Sequence, residues 1–440
     1  MADAVRVDAA AAGAPWPASA VIEDRGLVLG GVPAGELADR FGTPLVVVDD
    51  DDLRARCREV RSLFPRACYA VKAFTAQAAL RIVLDEGLDL LAATGGELEA
   101  CLRAGAPASR IVFHGNAKTD AELAAAVDAR VGLLVADGLD ELRRLDRVAR
   151  EAQHVQPALL RVVPDVEVET HEAIATGHDA SKFGTALADA VGVLRDAAGM
   201  PGLDVAGLHA HIGSQLLDVE PFLRTVDALV ALAARLRDEA GLTVRTIDVG
   251  GGFGVRYVDE SPPGPAQLAS ALGDRLVAAC AAHALETPVL MVEPGRYLVA
   301  NPGVTLYRVV SSKTVSAGRR LLAVDGGMSD NVRPALYDAR YTVTVASPRP
   351  DGPSGDEATF TVVGRHCESG DTLAEHVSLP AGTGPGDLLA FAATGAYTYA
   401  LASTYNRVGR PAVVAVRGGI ATPWLRREDA ADLDRLEVAR

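Results

Sequence analysis

Between about residue 45 and residue 296, short apolar runs alternate with longer stretches rich in Ala, Leu, Arg and Glu at helical spacing. The runs predict strands at CYAVKA, LDLLAAT, RIVFHG, GLLVAD, ALLRVV, VAGLHAHIG, TIDVGGG and LMVEPG. Eight such runs, each followed by a helical stretch or a loop, predict an α/β fold of the (β/α)8, TIM-type barrel class. A doubly wound open sheet is the competing architecture, and it would usually carry a phosphate loop at its first βα turn, where this chain has none. Beyond EPGR the texture changes. GVTLYRVVSSKTV, RRLLAVDGG, RYTVTVAS, ATFTVVGRH and AVVAVRGG are strand-like runs separated by Gly/Pro turns, which predicts a second, mostly β, barrel-like domain. The expected division is a loose tail over 1–25, an N-terminal strand region over 26–44 contributing to the β domain, the barrel over 45–298 and the β domain over 299–440. The GLVLGGV stretch is the strand expected to join that β domain. The segment SPRPDGPSGDEA has the composition of a link between two strands.

Composition changes this picture little. A chain of 440 residues exceeds the usual size of one hydrophobic core, in keeping with two domains. With 49% hydrophobic and 23% charged residues it reads as a soluble globular protein. A formal net charge of −15 argues against nucleic acid or an anionic membrane as partner, because both reward clustered Lys and Arg. Five scattered cysteines without a CxxC pair fit reduced thiols in the cytoplasm. No apolar run approaches the ~20 residues of a membrane span, and the N-terminal stretch lacks the basic start of a signal peptide.

Barrel enzymes carry their chemistry at the C-terminal ends of the strands, and the unusual residues of this chain cluster there. Alternation along the first strand places Cys68, Ala70 and Lys72 on one face. Lys72 is either a lysine reaching out to solvent or a Schiff-base lysine whose amine is freed by desolvation. His209 and His211 also alternate onto one face, so a metal pair is a candidate. No third ligand at strand or helix spacing is apparent, and no metal is expected. A flat imidazole facing an aromatic cofactor suits His211 better, with Ser214 placed to bond a phosphate. The glycines of DVGGGFG do not match GxGxxG; they form a tight turn or let backbone N–H groups close on a phosphate. Glu293 is an acid at a strand end, suited to holding the ring nitrogen of pyridoxal phosphate protonated or to pairing with an arginine. In VGRHCESGDTLA, Cys367, Glu368 and Asp371 admit three readings: a nucleophile with helpers, a metal site, or a polar loop.

Together these stretches resemble the fold-type III pyridoxal phosphate decarboxylases. The resemblance runs from LADRFGTPLVVVDDDDLRAR to RPAVVAV, and is carried by YAVKA, GGELEA, HGNAKTDAEL, SKFG, HAHIGSQ, DVGGGFG, EPGRY, DGGMSDNVRPALYDARY, HCESGD and GAYTYALASTYN. It implies pyridoxal 5'-phosphate as cofactor, bound covalently by Lys72 with His211 stacked on its ring. Ser214, Gly251, Gly252 and the EPGR backbone at Gly295 and Arg296 would hold the phosphate. Glu293 would pair with the ring nitrogen, and Tyr397 would touch the cofactor. By the same resemblance the CESGD loop would complete the partner subunit's site in a homodimer, with Cys367 supplying the proton that replaces CO2 and Glu368 reading the substrate's distal ammonium.

The implied substrate is meso-2,6-diaminopimelate, converted to L-lysine and CO2. Its second amino-acid head needs a cation for the distal carboxylate, a task for Arg296, Arg333 and Tyr337. Alternatives are a relative acting on another amino acid with a distal acidic group, a racemase of the same barrel family, and a non-catalytic regulator. A racemase would typically set arginine against the ring nitrogen, where this chain has Glu293. One departure stands out: the family usually has aspartate four residues before the GG of its second strand motif, and this chain has Leu91 there. Either Asp89 substitutes from lower in the barrel or a polar contact is missing. In the second case Leu91→Asp should raise turnover.

Overall fold

Eight parallel strands close on themselves among the described residues: Arg66–Ala70 (β1), Asp89–Ala92 (β2), Ile111–Phe113 (β3), Leu133–Ala136 (β4), Gln156–Val163 (β5), Leu203–His209 (β6), Thr246–Asp248 (β7) and Val289–Val292 (β8). Each pairs with its sequence neighbour, and β8 returns to β1 through the Met291–Arg66 and Val292–Ala67 register. The ring is a (β/α)8 barrel. The structure is a computed structural model that describes residues 15–23, 25–166, 182–347 and 356–438. Most of the N-terminal tail, Ser181 of the SKFG motif and most of the SPRPDGPSGDEA segment lie outside the described residues.

Alternation explains why these runs are strands with one common interior. Cys68 and Ala70 of β1, Leu91 of β2, Val112 of β3, Leu133 and Val135 of β4, Leu159 of β5, Ala206 of β6 and Met291 of β8 form one buried apolar cluster. Two of the helices that follow start on side-chain caps. Thr94 accepts the Glu97 N–H at the head of Gly95–Arg103, and Thr119 with Glu122 forms a reciprocal capping box at the head of Asp120–Ala129. Glu122 Oε1 also accepts the Gly95 N–H at 2.7 Å, tying the turn after β2 to the turn after β3. Lys118 is sealed inside that second turn by Glu141 (2.6 Å) and the Val135 carbonyl (3.0 Å), which anchors the segment that carries His114.

The barrel unit comprises Arg56–Gly254 and Pro262–Tyr297; the other unit comprises the described residues of Met1–Ala55, Val255–Ser261 and Leu298–Arg440. The sequence-based division differs here, since it starts the barrel at residue 45. Leu45–Asp49 instead pairs antiparallel with Gly303–Thr314 and parallel with Ala412–Arg417, because its five buried residues fill the middle of the β unit's sheet. The sheet runs Thr372–Pro380, Glu357–Val363, Arg320–Val324, Gly303–Thr314, Leu45–Asp49, Ala412–Arg417, Ile420–Leu425. GLVLGGV does form a strand, Gly26–Leu29, but it pairs with Val21–Glu23 and Val32–Pro33 in a separate three-stranded sheet. Leu27, Leu29 and Val32 then pack into the same core as Leu45, Val47, Val304 and Leu306, so the stretch joins the domain through packing.

Within the β unit, Asp330 of the DGGMSDN stretch is buried beside the Tyr307 hydroxyl and accepts the Gly327 N–H at 2.8 Å. Burial pushes its carboxyl up to about 6, against the Tyr307 and Gly327 contacts that lower it. Between the unfolded value of about 3.9 and the folded value, the native state binds the extra proton, so this group makes stability fall as pH rises through that window. Asp330→Asn removes the effect. Urea titrations from pH 4 to pH 7 should show the variant gaining about 2 kcal/mol on the parent across that range. A constant difference would show that Asp330 ionises normally in the native state.

Candidate active site

The C-terminal ends of the barrel strands gather the polar groups. β1 ends at Ala70, and Lys72 follows within the 3-10 turn Val71–Ala73. Lys72 thus leaves the strand alternation that would stack it above Cys68 and Ala70, and its side chain is exposed. Its positive charge is felt by two neighbours, His211 and Glu97. Glu97, half-buried on the helix after β2, accepts the Ala93 N–H at 2.7 Å. Burial raises its carboxyl, with that N–H and Lys72 opposing.

β6 ends at His209, which separates the two histidines expected on one face. His209 is buried with its ring edge-on to His114, centroids 4.6 Å apart. His211 lies past the strand end, where its Nδ1 accepts the Gly251 N–H at 3.2 Å, so a neutral ring carries its proton on Nε2. Burial, and then the Lys72 charge, push His211 well below the ordinary imidazole range.

Glu293, just past β8, lies on the floor of this group. His114 Nε2 is 2.7 Å from its Oε1 and His209 Nε2 is 3.4 Å from its Oε2. Burial alone would raise the Glu293 carboxyl, yet the two imidazoles hold it well below the usual range. His114 is pushed down to about 4 by burial, with Glu293 opposing. Both rings are therefore neutral at pH 7. One ligand atom from each of His114, His209, Asp248 and Glu293 lies within 4.8 Å of the others, a grouping the search along the sequence for a third ligand did not find. Two ligands of one tetrahedral zinc, each at ~2.0–2.1 Å, stand about 3.4 Å apart. The 2.7 Å between His114 Nε2 and Glu293 Oε1 is shorter than that, and the pair is not aligned as a hydrogen bond.

The glycine run after β7 makes a cradle closed to side chains. A Cβ on Gly250 would meet the Ala210 carbonyl at 2.7 Å, one on Gly251 the Glu293 carbonyl at 2.4 Å, and one on Gly252 the Gly213 carbonyl at 2.6 Å. Gly250 and Gly252 also have positive φ, 74° and 101°. Arg296, which follows Gly295, is buried and donates through a terminal nitrogen to Ser214 Oγ at 2.8 Å. A guanidinium and a hydroxyl thus converge near the cradle as an anion site. Glu293 Oε1 is buried without an aligned hydrogen-bond donor among the described residues. A ring with a protonated nitrogen and a phosphate tail fits this set: an acceptor for the nitrogen, an imidazole, and a glycine cradle with a cation.

The departure at Leu91 is resolved by position. Asp89 opens β2 and is held by Arg66 and Arg110, both at 3.1 Å. It is committed at the N-terminal end of the barrel and does not substitute. Leu91 is 4% exposed and belongs to the apolar cluster of the barrel interior. The packing reverses the expectation for Leu91→Asp. A carboxyl among those side chains costs several kcal/mol, so the variant should unfold at lower urea without faster turnover. A gain in turnover at unchanged stability would contradict this.

The β unit supplies its own polar groups. Arg333 is buried, donates to the Tyr341 hydroxyl at 2.7 Å and lies 4.9 Å over the Tyr257 ring. Tyr337 closes the short helix Arg333–Tyr337 and is partly exposed. Tyr397 is half-buried with φ of 57°, a strained conformation of the kind that collects at functional sites.

The opening motif of the loop resolves into a frame and a tip. Asp371 is buried; its two oxygens accept the Met328 N–H at 2.6 Å and the His366 N–H at 2.8 Å. Its carboxylate leaves no room for a Cβ on Gly327 or Gly364. His366 is braced by Ser329 at 2.9 Å and Asn406 at 3.2 Å, and Asn406 also accepts the Cys367 N–H at 3.2 Å. Between the buried His366 and Asp371, residues 367–370 are all exposed. Cys367 and Glu368 thus stand on a loop tip with Asp371 as its support. Asp371→Ala leaves the buried His366 N–H and the part-buried Met328 N–H without this acceptor, about 1–3 kcal/mol for the buried one and less for the other. The expected result is faster amide hydrogen exchange over 364–371; unchanged protection would remove Asp371 from this role.

Of the residues expected from the sequence, His211, Ser214, Gly251, Gly252, Glu293 and Arg296 come together in the barrel unit. His114 and Asp248 were passed over, although both stand inside quoted motifs, HGNAKTDAEL and DVGGGFG. The signal available was position alone, one residue past β3 and the last residue of β7.

Residues 50–300, more than half of the chain, match the family described as pyridoxal-dependent decarboxylase, pyridoxal binding domain. The chain is 44% identical over 439 residues to the diaminopimelate decarboxylase of Mycobacterium tuberculosis (strain ATCC 25618 / H37Rv), covering 96% of this chain and 97% of that protein. It is 38% identical over 421 residues to the diaminopimelate decarboxylase of Bacillus subtilis (strain 168), covering 94% and 95%. Among solved structures, diaminopimelate decarboxylase from M. jannaschii in complex with L-lysine superposes with a TM-score of 0.90 at 29% identity, covering 96% of this chain and 98% of that one. A lysine/ornithine decarboxylase from Vibrio vulnificus complexed with putrescine gives a TM-score of 0.75 at 25% identity, covering 87% and 97%. The chain belongs to the pyridoxal-dependent decarboxylase family, in its diaminopimelate decarboxylase branch.

Proposed function

We propose, with that family as the premise, that the chain removes one carboxyl group of meso-2,6-diaminopimelate as CO2 and yields L-lysine, in lysine biosynthesis in the cytoplasm. The observation that carries the reading is Glu293, a buried anion kept ionised by two neutral imidazoles on the floor of a glycine cradle. Pyridoxal 5'-phosphate, when bound, supplies the electron sink for the pair left on the α-carbon as CO2 departs. Lys72, exposed at the end of β1, is the covalent anchor. His211 presents a neutral ring as the stacking surface, and Glu293 accepts the ring N–H. Ser214, Arg296 and the backbone of Gly251, Gly252 and Gly295 take the phosphate; Tyr397 is a further cofactor contact.

Cys367 is the proton donor to the α-carbon and Glu368 the acceptor for the distal ammonium. Their exposure on a braced loop tip supports a role toward a second copy of the chain, so the active form is a homodimer with shared sites. Arg296, Arg333 and Tyr337 take the distal carboxylate, and Arg333's aromatic surroundings hold its planar fork in one orientation. None of the five cysteines is in a disulfide and four are buried, as in a reducing compartment. Among the described residues no helix is long and apolar enough to cross a membrane.

Comparison of kcat/KM for meso-diaminopimelate, L-lysine and L-ornithine tests the substrate. A site built around a distal carboxylate rejects analogues that lack it by roughly 10^4-fold, because its cations are left unpaired. Comparable values for all three would move the chain to the lysine/ornithine type.

A further inference from the structure

Next to Glu293 stands a second buried acid that the proposed chemistry does not use. Asp248 is the last residue of β7, is fully buried, and accepts the Gly250 N–H on Oδ1 at 2.8 Å. Its Oδ2 is buried and meets no aligned donor among the described residues. Two carboxyl groups sealed together from water cannot both ionise, so one must carry a proton.

The surroundings decide which. Glu293 faces two imidazole nitrogens, at 2.7 Å and 3.4 Å, on His114 after β3 and His209 of β6. Asp248 has the same two imidazoles within 4.8 Å, but its one aligned donor among the described residues is the Gly250 N–H; beyond these it meets the distant positive charge of Arg66 at the start of β1 and the apolar thiol of Cys68 on the same strand. The anion belongs on Glu293 and the proton on Asp248. We propose that Asp248 is a positioning residue that holds the shared proton on Oδ2 and donates it as a hydrogen bond to the Glu293 carboxylate. It thereby keeps Glu293 both ionised and aimed at the cofactor's ring nitrogen. This inference rests on the role of Glu293 given above. The titration directions agree with it: burial, then Glu293, push Asp248 well up, while the imidazoles outweigh burial at Glu293.

Asparagine mimics a protonated aspartate, accepting from Gly250 through Oδ1 and donating through its amide. The test compares Asp248→Asn with Asp248→Ala. Pyridoxal phosphate titrated into apo-protein should bind Asp248→Asn within about threefold of the parent. It should bind Asp248→Ala at least about 10-fold more weakly, the scale of one lost hydrogen bond to a charged group. The pH dependence of the bound-cofactor absorbance should match the parent in the Asn variant and shift in the Ala variant. Equal damage in both variants would overturn the proposal, because Asp248 would then act as an anion; so would no damage in either. If Asp248→Ala does not fold, Asp248→Asn decides alone, and a weakening beyond about 10-fold overturns it. Failure of the parent itself to bind the cofactor would instead sink the reading of Glu293. The apo-protein's urea midpoint would still test Asp248, with the Asn variant expected to match the parent and the Ala variant to fall below it.

Discussion

The Lys72→Ala variant folds as the parent does and releases CO2 more than about 10^3-fold more slowly, the scale on which removing a covalent nucleophile acts. Its fold survives because Lys72 sits in a one-turn 3-10 segment with its side chain in solvent, where truncation changes stability within about 0.5 kcal/mol. Its activity does not, because Lys118 and His211 cannot replace it. Lys118 is sealed by Glu141 and backbone carbonyls, and His211 is a neutral ring pinned by Gly251. Three measurements check this together: circular dichroism melting, CO2 release, and borohydride fixation of the cofactor to the protein. A variant that keeps a tenth of the parent rate would show that the covalent anchor lies elsewhere.

Substitution of Glu293 acts on stability and rate at once, and the choice of replacement separates them. In Glu293→Ala, His114, His209 and Asp248 all lose the carboxylate they are packed around, a cost of about 2–5 kcal/mol from buried polar groups left without a partner. Glu293→Gln keeps the shape and removes the charge, so it should lose less stability than the alanine variant. Both should lower kcat by roughly 10^2- to 10^3-fold, as when a preorganised charge is removed from a catalytic centre. The pH sign follows from the carboxyl's depressed position. Its folded value lies below the unfolded one, so its contribution is present above pH of about 4.3 and is lost as pH falls through the folded value. Glu293→Gln should flatten that acid limb in urea titrations. An active glutamine variant would remove the ring-nitrogen role.

Much of this site was legible because barrel chemistry sits where strands end. The apolar runs located all eight strands, and the motifs following them named Lys72, His211, Ser214, Glu293 and Arg296. What the alternation rule missed is what happens just past a strand. Lys72 and His211 lie beyond the last paired residues, in a 3-10 turn and a loop, so they do not share the faces that period-two counting assigns. The boundary at residue 45 was misplaced for a related reason. An apolar strand such as LVVVD reads the same in either sheet, and only its pairing with Gly303–Thr314 and Ala412–Arg417 assigns it to the β unit. His114 and Asp248 were hidden because their meaning is a distance across the barrel, from β3 and β7 to the residue after β8. Leu91 shows the opposite limit. Its motif position suggested a missing polar contact, whereas its packing among Cys68, Val112, Leu159 and Met291 makes it part of the interior. Asp371 was visible as an acid near Cys367, but its work as a bracket for two backbone N–H groups belongs to the folded loop.

The most direct test is to incubate the cofactor-loaded chain with meso-diaminopimelate and quantify CO2 and L-lysine over the same interval. The account predicts both in one-to-one ratio. Loss of optical or isotopic label at the α-carbon without CO2, or CO2 without lysine, would contradict it.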